Sequence, residues 1–176
     1  DCLILELQHA LEELIDADVS APRLQRVLEN SARLGITLTT AVADASALPD
    51  TLLARPFDAI LADVPCSATG VLRRNPDIKI LRQSDDVDGF ARQQLAILQG
   101  LWPALAVDGR LLYVTCSLLQ AENDDVIARF TASNGGAVVE PLQLSEGLAR
   151  QYGWQTLPDP KGGDGLYFSL LRKAAG

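Results

Sequence analysis

Hydrophobic residues along this chain follow two periods that alternate with each other. Apolar positions three and four residues apart predict helices over 3–14, 22–34, 86–106 and 121–131. Short apolar runs predict strands over 14–18, 36–42, 57–62, 110–114, 137–140 and 166–171. Strands that alternate with helices are typical of an α/β domain with a mostly parallel sheet.

Two segments show neither the helical nor the strand pattern. Residues 63–84 are rich in Pro, Arg, Asp and Ser, which predicts a long functional loop. The stretch 158–165 is the only linker-like one, and no internal repeat occurs. A chain of 176 residues without a stronger break is expected to form one domain.

Composition narrows the class of protein. With 15 Lys plus Arg against 23 Asp plus Glu, the formal net charge is -8, so the chain has no electrostatic footprint for nucleic acid. The sequence has neither an apolar run of membrane-spanning length nor a basic leader, and we expect a cytoplasmic protein. Three cysteines do not indicate a disulfide framework. Because the chain starts at Asp1 and has no Met, we expect a piece of a longer protein.

Chemistry-bearing residues stand at the ends of predicted strands. Asp18, Asp44, Asp63 and Cys116 each follow one, and in open α/β sheets ligands bind beyond the carboxyl ends of the strands. An acidic residue there suits the hydroxyls of a ribose. The alternative is that Asp18 or Asp44 only caps the helix or turn that follows it.

Two segments resemble a known family. They are Asp63-Val-Pro-Cys-Ser-Ala-Thr-Gly-Val-Leu-Arg-Arg-Asn-Pro-Asp-Ile-Lys79 and, some 35 residues after it, Val114-Thr-Cys-Ser117. Together they resemble the RNA cytosine-5 methyltransferases, and within these the bacterial enzymes that act on 16S ribosomal RNA. The likeness continues through most of the chain, at Asp18-Val-Ser, Asn30-Ser-Ala-Arg-Leu-Gly35, Asp44, Glu122-Asn123 and Gly163-Asp-Gly-Leu-Tyr-Phe168. Val64 replaces an alanine that is more usual in the family, and no reactive group is lost.

The resemblance implies a role for both motif cysteines. Carbon 5 of cytosine is a poor nucleophile, so an enzyme must first add a nucleophile to carbon 6, and a thiolate suits that task. By resemblance, Cys116 is the nucleophile and Cys66 helps to resolve the adduct. Asp63 is expected to contact the cytosine and to stabilise charge during addition. Cys2 is expected to be an inert, buried thiol.

The resemblance also implies S-adenosylmethionine as methyl donor. Asp18 is the expected ribose-binding acid, Asp44 the contact to the adenine, and Asp63 lies near the cofactor. The implied fold is a Rossmann-like methyltransferase sheet, mostly parallel with an antiparallel C-terminal strand. We expect its first strand, its Gly-rich loop and an N-terminal RNA-binding region to be absent from these 176 residues, which alone should bind the cofactor weakly or not at all.

The expected partner is 16S ribosomal RNA, bound by a protein that is monomeric at full length. Arg73, Arg74 and Lys79, with Pro65, are candidate RNA contacts; a solvated loop with scattered charges is the alternative. With one His, on the polar side of the first helix, no zinc site is expected, and Trp102 and Trp154 should only pack. Other functions left open are methylation of transfer RNA or another ribosomal site, thiol redox chemistry, and RNA binding without catalysis.

Overall fold

The structure, a computed structural model, describes residues 13–159 and 163–175. The chain divides into two compact units, Asp1–Pro49 and Asp50–Gly176, and each is described by itself. Cys2, His9 and almost all of the predicted helix over 3–14 lie outside the described residues. Among the described residues, no helix is both long enough and apolar enough to cross a membrane.

The described part of the first unit, from residue 13 onwards, forms a strand–helix–strand motif. Strand β1 (Ile15–Asp18) and strand β2 (Thr39–Val42) pair in parallel, and helix α1 (Ala21–Leu34) connects them. Ser20 is the N-cap, Pro22 lies in the first turn and Gly35 ends the helix at φ 69°, a left-handed conformation that glycine adopts without steric cost. The predicted helix ends are therefore confirmed.

The second unit is built on a six-stranded sheet in the order β3-β4-β8-β7-β6, with β5 also pairing with β8. Strands β3 and β4 are parallel, whereas the pairings of β8 with β4, β5 and β7, and of β6 with β7, are antiparallel. The predicted antiparallel C-terminal strand is confirmed. The strands are β3 (Phe57–Asp63), β4 (Leu105–Thr115), β5 (Ala137–Glu140), β6 (Leu148–Ala149), β7 (Trp154–Gln155) and β8 (Tyr167–Lys173).

Four helices accompany this sheet in the described residues: α2 (Asp50–Leu53), α3 (Ile78–Leu81), α4 (Ser84–Leu101) and α5 (Asp124–Ser133). Short 3₁₀ turns occur at Thr69–Val71, Trp102–Ala104 and Gln120–Glu122. The predicted loop over 63–84 thus contains a 3₁₀ turn and the one-turn helix α3. The helix predicted over 121–131 begins three residues later, after the 3₁₀ turn.

The predicted helix over 86–106 was too long at its C-terminal end. It stops at Leu101, because Pro103 has no N–H for the next helical hydrogen bond. Asp108-Gly109, a pair of the kind that often follows a helix, lies inside β4. Asp108 has φ 62°, and the pairing with β3 shifts register beside it.

The hydrophobic core of the second unit lies where α4 and α5 pack together beside the sheet. The edge of the Trp102 ring meets Phe130 at a centroid distance of 5.1 Å, which confirms that this tryptophan packs in the core. Trp154 is anchored differently, since its indole N–H donates to the Glu146 carbonyl. Fully buried core side chains include Leu98, Leu111, Ile127, Phe130 and Leu171.

Candidate active site

Two cysteines meet where β3 and β4 end. These strands are parallel neighbours with Asp63 paired to Val114, so the chain leaves both at the same edge of the sheet. The next backbone bond, from the Val64 N–H to the Val114 carbonyl, carries the pairing one residue further. Cys66 and Cys116 follow directly, and their Sγ atoms lie 3.3 Å apart as free thiols.

Burial distinguishes the two thiols. Cys66 is buried, whereas Cys116 is half-buried. The hydrogen bond between them, together with burial, raises the pKa of Cys66. The same bond lowers the pKa of Cys116 to about 7, against partial burial and the charges of Asp63 and Glu122, which raise it. These opposite shifts favour Cys116 as the thiolate of the pair and the Cys66 thiol as the hydrogen-bond donor.

Asp63 closes β3 beside this pair. The residue is exposed by area, yet the protein around its carboxyl raises the pKa of that group through desolvation. Its charge opposes ionisation of Cys116, so the two groups interact. Pro65, two residues on, is itself exposed, while its carbonyl accepts a 2.9 Å hydrogen bond from the Gln94 side chain.

Glycines fix the loop that carries Cys66. The Gly70 N–H donates to the Cys116 carbonyl at 2.8 Å, and the Gly165 N–H donates to the Gly70 carbonyl at 2.9 Å. A Cβ atom added to Gly70 would lie 1.8 Å from the Gly165 carbonyl oxygen, a distance that no side chain can occupy. The terminal Gly-Asp-Gly motif thus packs directly on both cysteine segments.

The predicted basic residues lie on the surface of this loop. Arg73 and Lys79 are exposed, and Arg74 forms an ion pair with Asp164 of the terminal motif. Sequence reasoning missed Arg82, whose guanidinium donates to the Ser67 carbonyl at 3.2 Å and stacks over the Phe90 ring at 4.8 Å. Arg82 therefore supports the backbone next to Cys66.

Asp18 and Asp44 belong to the first unit, and each makes local bonds. One carboxylate oxygen of Asp18 accepts the Ser20 N–H at 2.6 Å and lies 3.2 Å from the Arg23 guanidinium. One oxygen of Asp44 accepts both the N–H and the hydroxyl of Ser46. Both hydrogen bonds lower the pKa of Asp44, and the one from the Ser46 hydroxyl has the larger effect. Capping is thus part of what both residues do.

A buried carboxylate behind the cysteines was not predicted as a site residue. Glu122 is fully buried and accepts hydrogen bonds from the Ser67 N–H, the Ser67 and Ser117 hydroxyls, and the Gln94 amide. Two signals for it existed in the sequence: Glu122 belongs to the family-like segment after Thr-Cys-Ser, and Gln94 is a polar residue on the apolar stripe of α4. Within residues 13–159 and 163–175, no three His, Cys, Asp or Glu side chains are grouped to hold a metal ion.

The parallel strands that end at the paired thiols, followed by an antiparallel C-terminal strand, match the expected Rossmann-like methyltransferase sheet. Residues 1–172 match the family model for 16S rRNA methyltransferase RsmB/F, and the chain belongs to this family. The resemblance inferred from the motifs and the S-adenosylmethionine-dependent methyltransferase fold are thus confirmed.

Relatives agree over nearly the whole chain. It is 43% identical over 174 residues to ribosomal RNA small subunit methyltransferase B of Pseudomonas putida, covering 99% of this chain and 40% of the relative. Identity to the protein of the same name in Pasteurella multocida is 44%, covering 94% of this chain and 39% of the relative. This chain therefore spans about two fifths of the length of these relatives.

A solved structure shares the fold. The crystal structure of NSun6 from Pyrococcus horikoshii with SFG matches 98% of this chain and 45% of its own, with a TM-score of 0.81 and 27% sequence identity.

Proposed function

We propose that this chain is the catalytic domain of an enzyme that methylates carbon 5 of a cytosine in 16S ribosomal RNA through a covalent adduct with Cys116. The observation that carries the proposal is the thiol pair, in which the buried Cys66 lies 3.3 Å from the more exposed Cys116 and lowers its pKa to about 7. A thiolate near neutral pH is the nucleophile that addition to carbon 6 requires. Membership in the 16S rRNA methyltransferase RsmB/F family supports the substrate class.

In the proposed reaction the Cys116 sulfur forms a bond to carbon 6, and the electron pair of the carbon 5–carbon 6 double bond moves towards carbon 5. When bound, S-adenosylmethionine would supply the methyl group that carbon 5 takes up, and S-adenosylhomocysteine would be the leaving group. A base removes the proton from carbon 5, the double bond forms again, and the bond from sulfur to carbon 6 breaks. Cys116 is thereby returned as a thiolate, and the net change at cytosine is one hydrogen replaced by one methyl group.

Cys66 and Asp63 assist this sequence. The Cys66 thiol stabilises the attacking thiolate before addition and lies next to the sulfur that must leave at the end, in keeping with a role in resolving the adduct. Asp63 has a raised pKa, so its carboxyl holds a proton more readily than an exposed aspartate and can share it with the cytosine ring during addition.

Asp18 and Asp44 remain the proposed cofactor-binding acids. Both follow strands, as the ribose and adenine contacts of a Rossmann-like fold require. The local bonds of each use one carboxylate oxygen, so accepting from a ribose hydroxyl or an adenine amine is compatible with the turn that the residue caps. The residues present in the first unit therefore fit this cofactor.

Contact with RNA is proposed for the exposed basic residues of the loop. Arg73 and Lys79 are exposed and are the first candidates. Arg74 can bind a phosphate only if it shares its guanidinium with Asp164 or if that ion pair breaks. These exposed basic residues belong to the loop that carries Cys66, so RNA bound there would approach the reacting segment of the chain. Transfer RNA, or another ribosomal position, is the alternative substrate.

The test uses the full-length protein with S-adenosylmethionine and 16S ribosomal RNA that contains 5-fluorocytosine. Fluorine at carbon 5 cannot be removed as a proton, so the reaction stops at the covalent stage. We expect a denaturation-resistant protein–RNA band that Cys116→Ala abolishes. If the band survives this change and Cys66→Ala removes it instead, the two cysteines have the opposite roles. The same experiment with transfer RNA in place of ribosomal RNA tests which RNA is the substrate.

A thiol-redox function is the second candidate, because a 3.3 Å contact brings two thiols close to disulfide distance. It would need only the cysteines. A Cys66–Cys116 disulfide formed under mild oxidant, in a full-length protein that never methylates RNA, would favour it over methyl transfer.

A further inference from the structure

Four side chains behind the thiol pair form a hydrogen-bonded group that methyl transfer does not use directly. We call Glu122, Ser67, Ser117 and Gln94 the Glu122 cluster. All four are at least nine-tenths buried, and Glu122 and Gln94 have no exposed surface. Ser67 directly follows Cys66, and Ser117 directly follows Cys116. The cluster therefore connects the two loops at the residues next to the reacting sulfurs.

The carboxylate of Glu122 links these two loops by hydrogen bonds. One oxygen accepts the Ser67 N–H at 2.7 Å, and the other accepts the hydroxyls of Ser67 and Ser117, each at 2.5 Å. The amide that it holds is the peptide group between Cys66 and Ser67, so a shift of the backbone at Cys66 would stretch this bond. Charge-assisted bonds of this kind are the shorter and stronger class.

Gln94, on helix α4, adds further hydrogen bonds to the same group. Its amide donates to the Pro65 carbonyl at 2.9 Å and to Glu122 at 3.3 Å, so both peptide groups that flank Cys66 are held. The side-chain amide oxygen of Gln94, Oε1, is buried without a hydrogen-bond partner among the described residues. Burying an unpaired acceptor is unfavourable, which indicates that the geometry at Cys66 is maintained at a cost in stability.

The identity of the central residue is informative. Four donors point at this side chain, and a carboxylate can accept all of them, whereas an amide of the same shape offers acceptor sites on one atom only. The negative charge of Glu122 opposes ionisation of Cys116. A carboxylate here therefore disfavours the thiolate by its charge while holding the contact that favours it.

We propose that Glu122 is a positioning residue for the methylation reaction: by binding Ser67 and Ser117 it holds the Cys66 thiol against the Cys116 sulfur. The inference rests on the proposed function for its purpose, since the contact it maintains is the one that prepares Cys116 for attack. In this role Glu122 contacts neither the cytosine nor the cofactor.

The test is the pH dependence of Cys116 alkylation in the full-length protein, followed by iodoacetamide labelling and peptide mass spectrometry. Neither RNA nor methyl donor is present. Glu122→Gln keeps size but removes the second acceptor atom, so we expect the alkylation midpoint to rise by about half a pH unit or more towards that of Cys66→Ala. An effect of charge alone would move the midpoint the other way, because loss of the negative charge favours the thiolate.

Further variants separate positioning from a general loss of structure. Ser117→Ala removes one anchor and keeps the charge, and should raise the midpoint by a smaller amount; it also serves if Glu122→Gln does not fold. Glu146→Gln, at an exposed carboxylate of the same unit, should leave it unchanged. The double variant of Glu122 and Ser117 should shift the midpoint by less than the sum of the single shifts.

Two results would overturn the proposal: a midpoint that stays in place in folded Glu122→Gln and Ser117→Ala, or one that falls. Because the titration requires no catalysis, it fails or succeeds independently of methyl transfer. A shifted midpoint in a protein that forms no RNA adduct would refute the proposed function and leave the positioning role standing.

Discussion

Removing Cys66 should change the ionisation of Cys116 more than any other single substitution. The Cys66 thiol is the largest factor that lowers the pKa of Cys116 to about 7, while partial burial, Asp63 and Glu122 all raise it. In Cys66→Ala only the raising influences remain, apart from a backbone hydrogen bond. The pKa of Cys116 should therefore return to its ordinary value of 9.0 or rise above it.

The change in thiolate follows from these values. At pH 7 a thiol with the lower pKa is about half ionised and one with the ordinary pKa about 1% ionised, roughly a 50-fold loss of thiolate. The remaining thiolate is intrinsically about 6- to 10-fold more nucleophilic, because reactivity rises with basicity. The alkylation rate at pH 7 should thus fall only about 5- to 8-fold, whereas the midpoint should move by about two pH units.

The assay is alkylation of Cys116 across a pH series, with each cysteine quantified by its own peptide. Cys66→Ser is the matched control, since a hydroxyl of similar size can still donate to the thiolate and should give a midpoint between those of the other two proteins. A midpoint near 7 in Cys66→Ala would show that Cys66 does not stabilise the thiolate.

Other predictions concern the loop and the acid beside the thiols. Gly70→Ala should destabilise the protein to urea by about 3 kcal/mol or more, because its methyl group meets backbone atoms, while Gly89→Ala in α4, with open space around it, should be neutral or stabilising by up to about 1 kcal/mol. Asp63→Asn should reduce adduct formation with the fluorinated RNA at least about tenfold while the Cys116 midpoint falls slightly, since a charge that opposes the thiolate is lost; an unchanged rate of adduct formation would exclude Asp63 from the reaction. Arg73→Ala combined with Lys79→Ala should weaken RNA binding and make its logarithmic salt dependence shallower by about one to two, measured by filter binding from low to moderate salt, and an unchanged slope would exclude phosphate contacts.

Elements with several apolar positions or clear end residues could be predicted from the sequence, and the two-residue strands could not. Helix α1 has a proline at its start and a glycine at its end, and both ends were right. Strands β6 and β7 have two residues each, too few for any alternation to show. Asp108 with Gly109 resembled a helix end because helix ends and strand irregularities both use residues that tolerate positive φ.

The motif cysteines could be found in the sequence, but not their ionisation. Which thiol becomes the thiolate depends on the hydrogen bond between them and on the burial of each, and both depend on how the chain packs around the ends of β3 and β4. In the same way, the sequence shows the charge of Arg74 without its partner Asp164, which lies 90 residues away. Glu122 was visible only as part of a motif, because its partners come from three separate segments.

The covalent bond between Cys116 and RNA is the central claim, and locating it is the most direct test. The wild-type full-length protein is incubated with 5-fluorocytosine-containing 16S ribosomal RNA and S-adenosylmethionine, then digested with nuclease and protease. Mass spectrometry should find a methylated fluorocytidine nucleotide attached to the peptide that contains Thr115-Cys116-Ser117. A nucleotide attached to the Cys66 peptide, or methylated RNA with no attachment to either cysteine, would contradict the account.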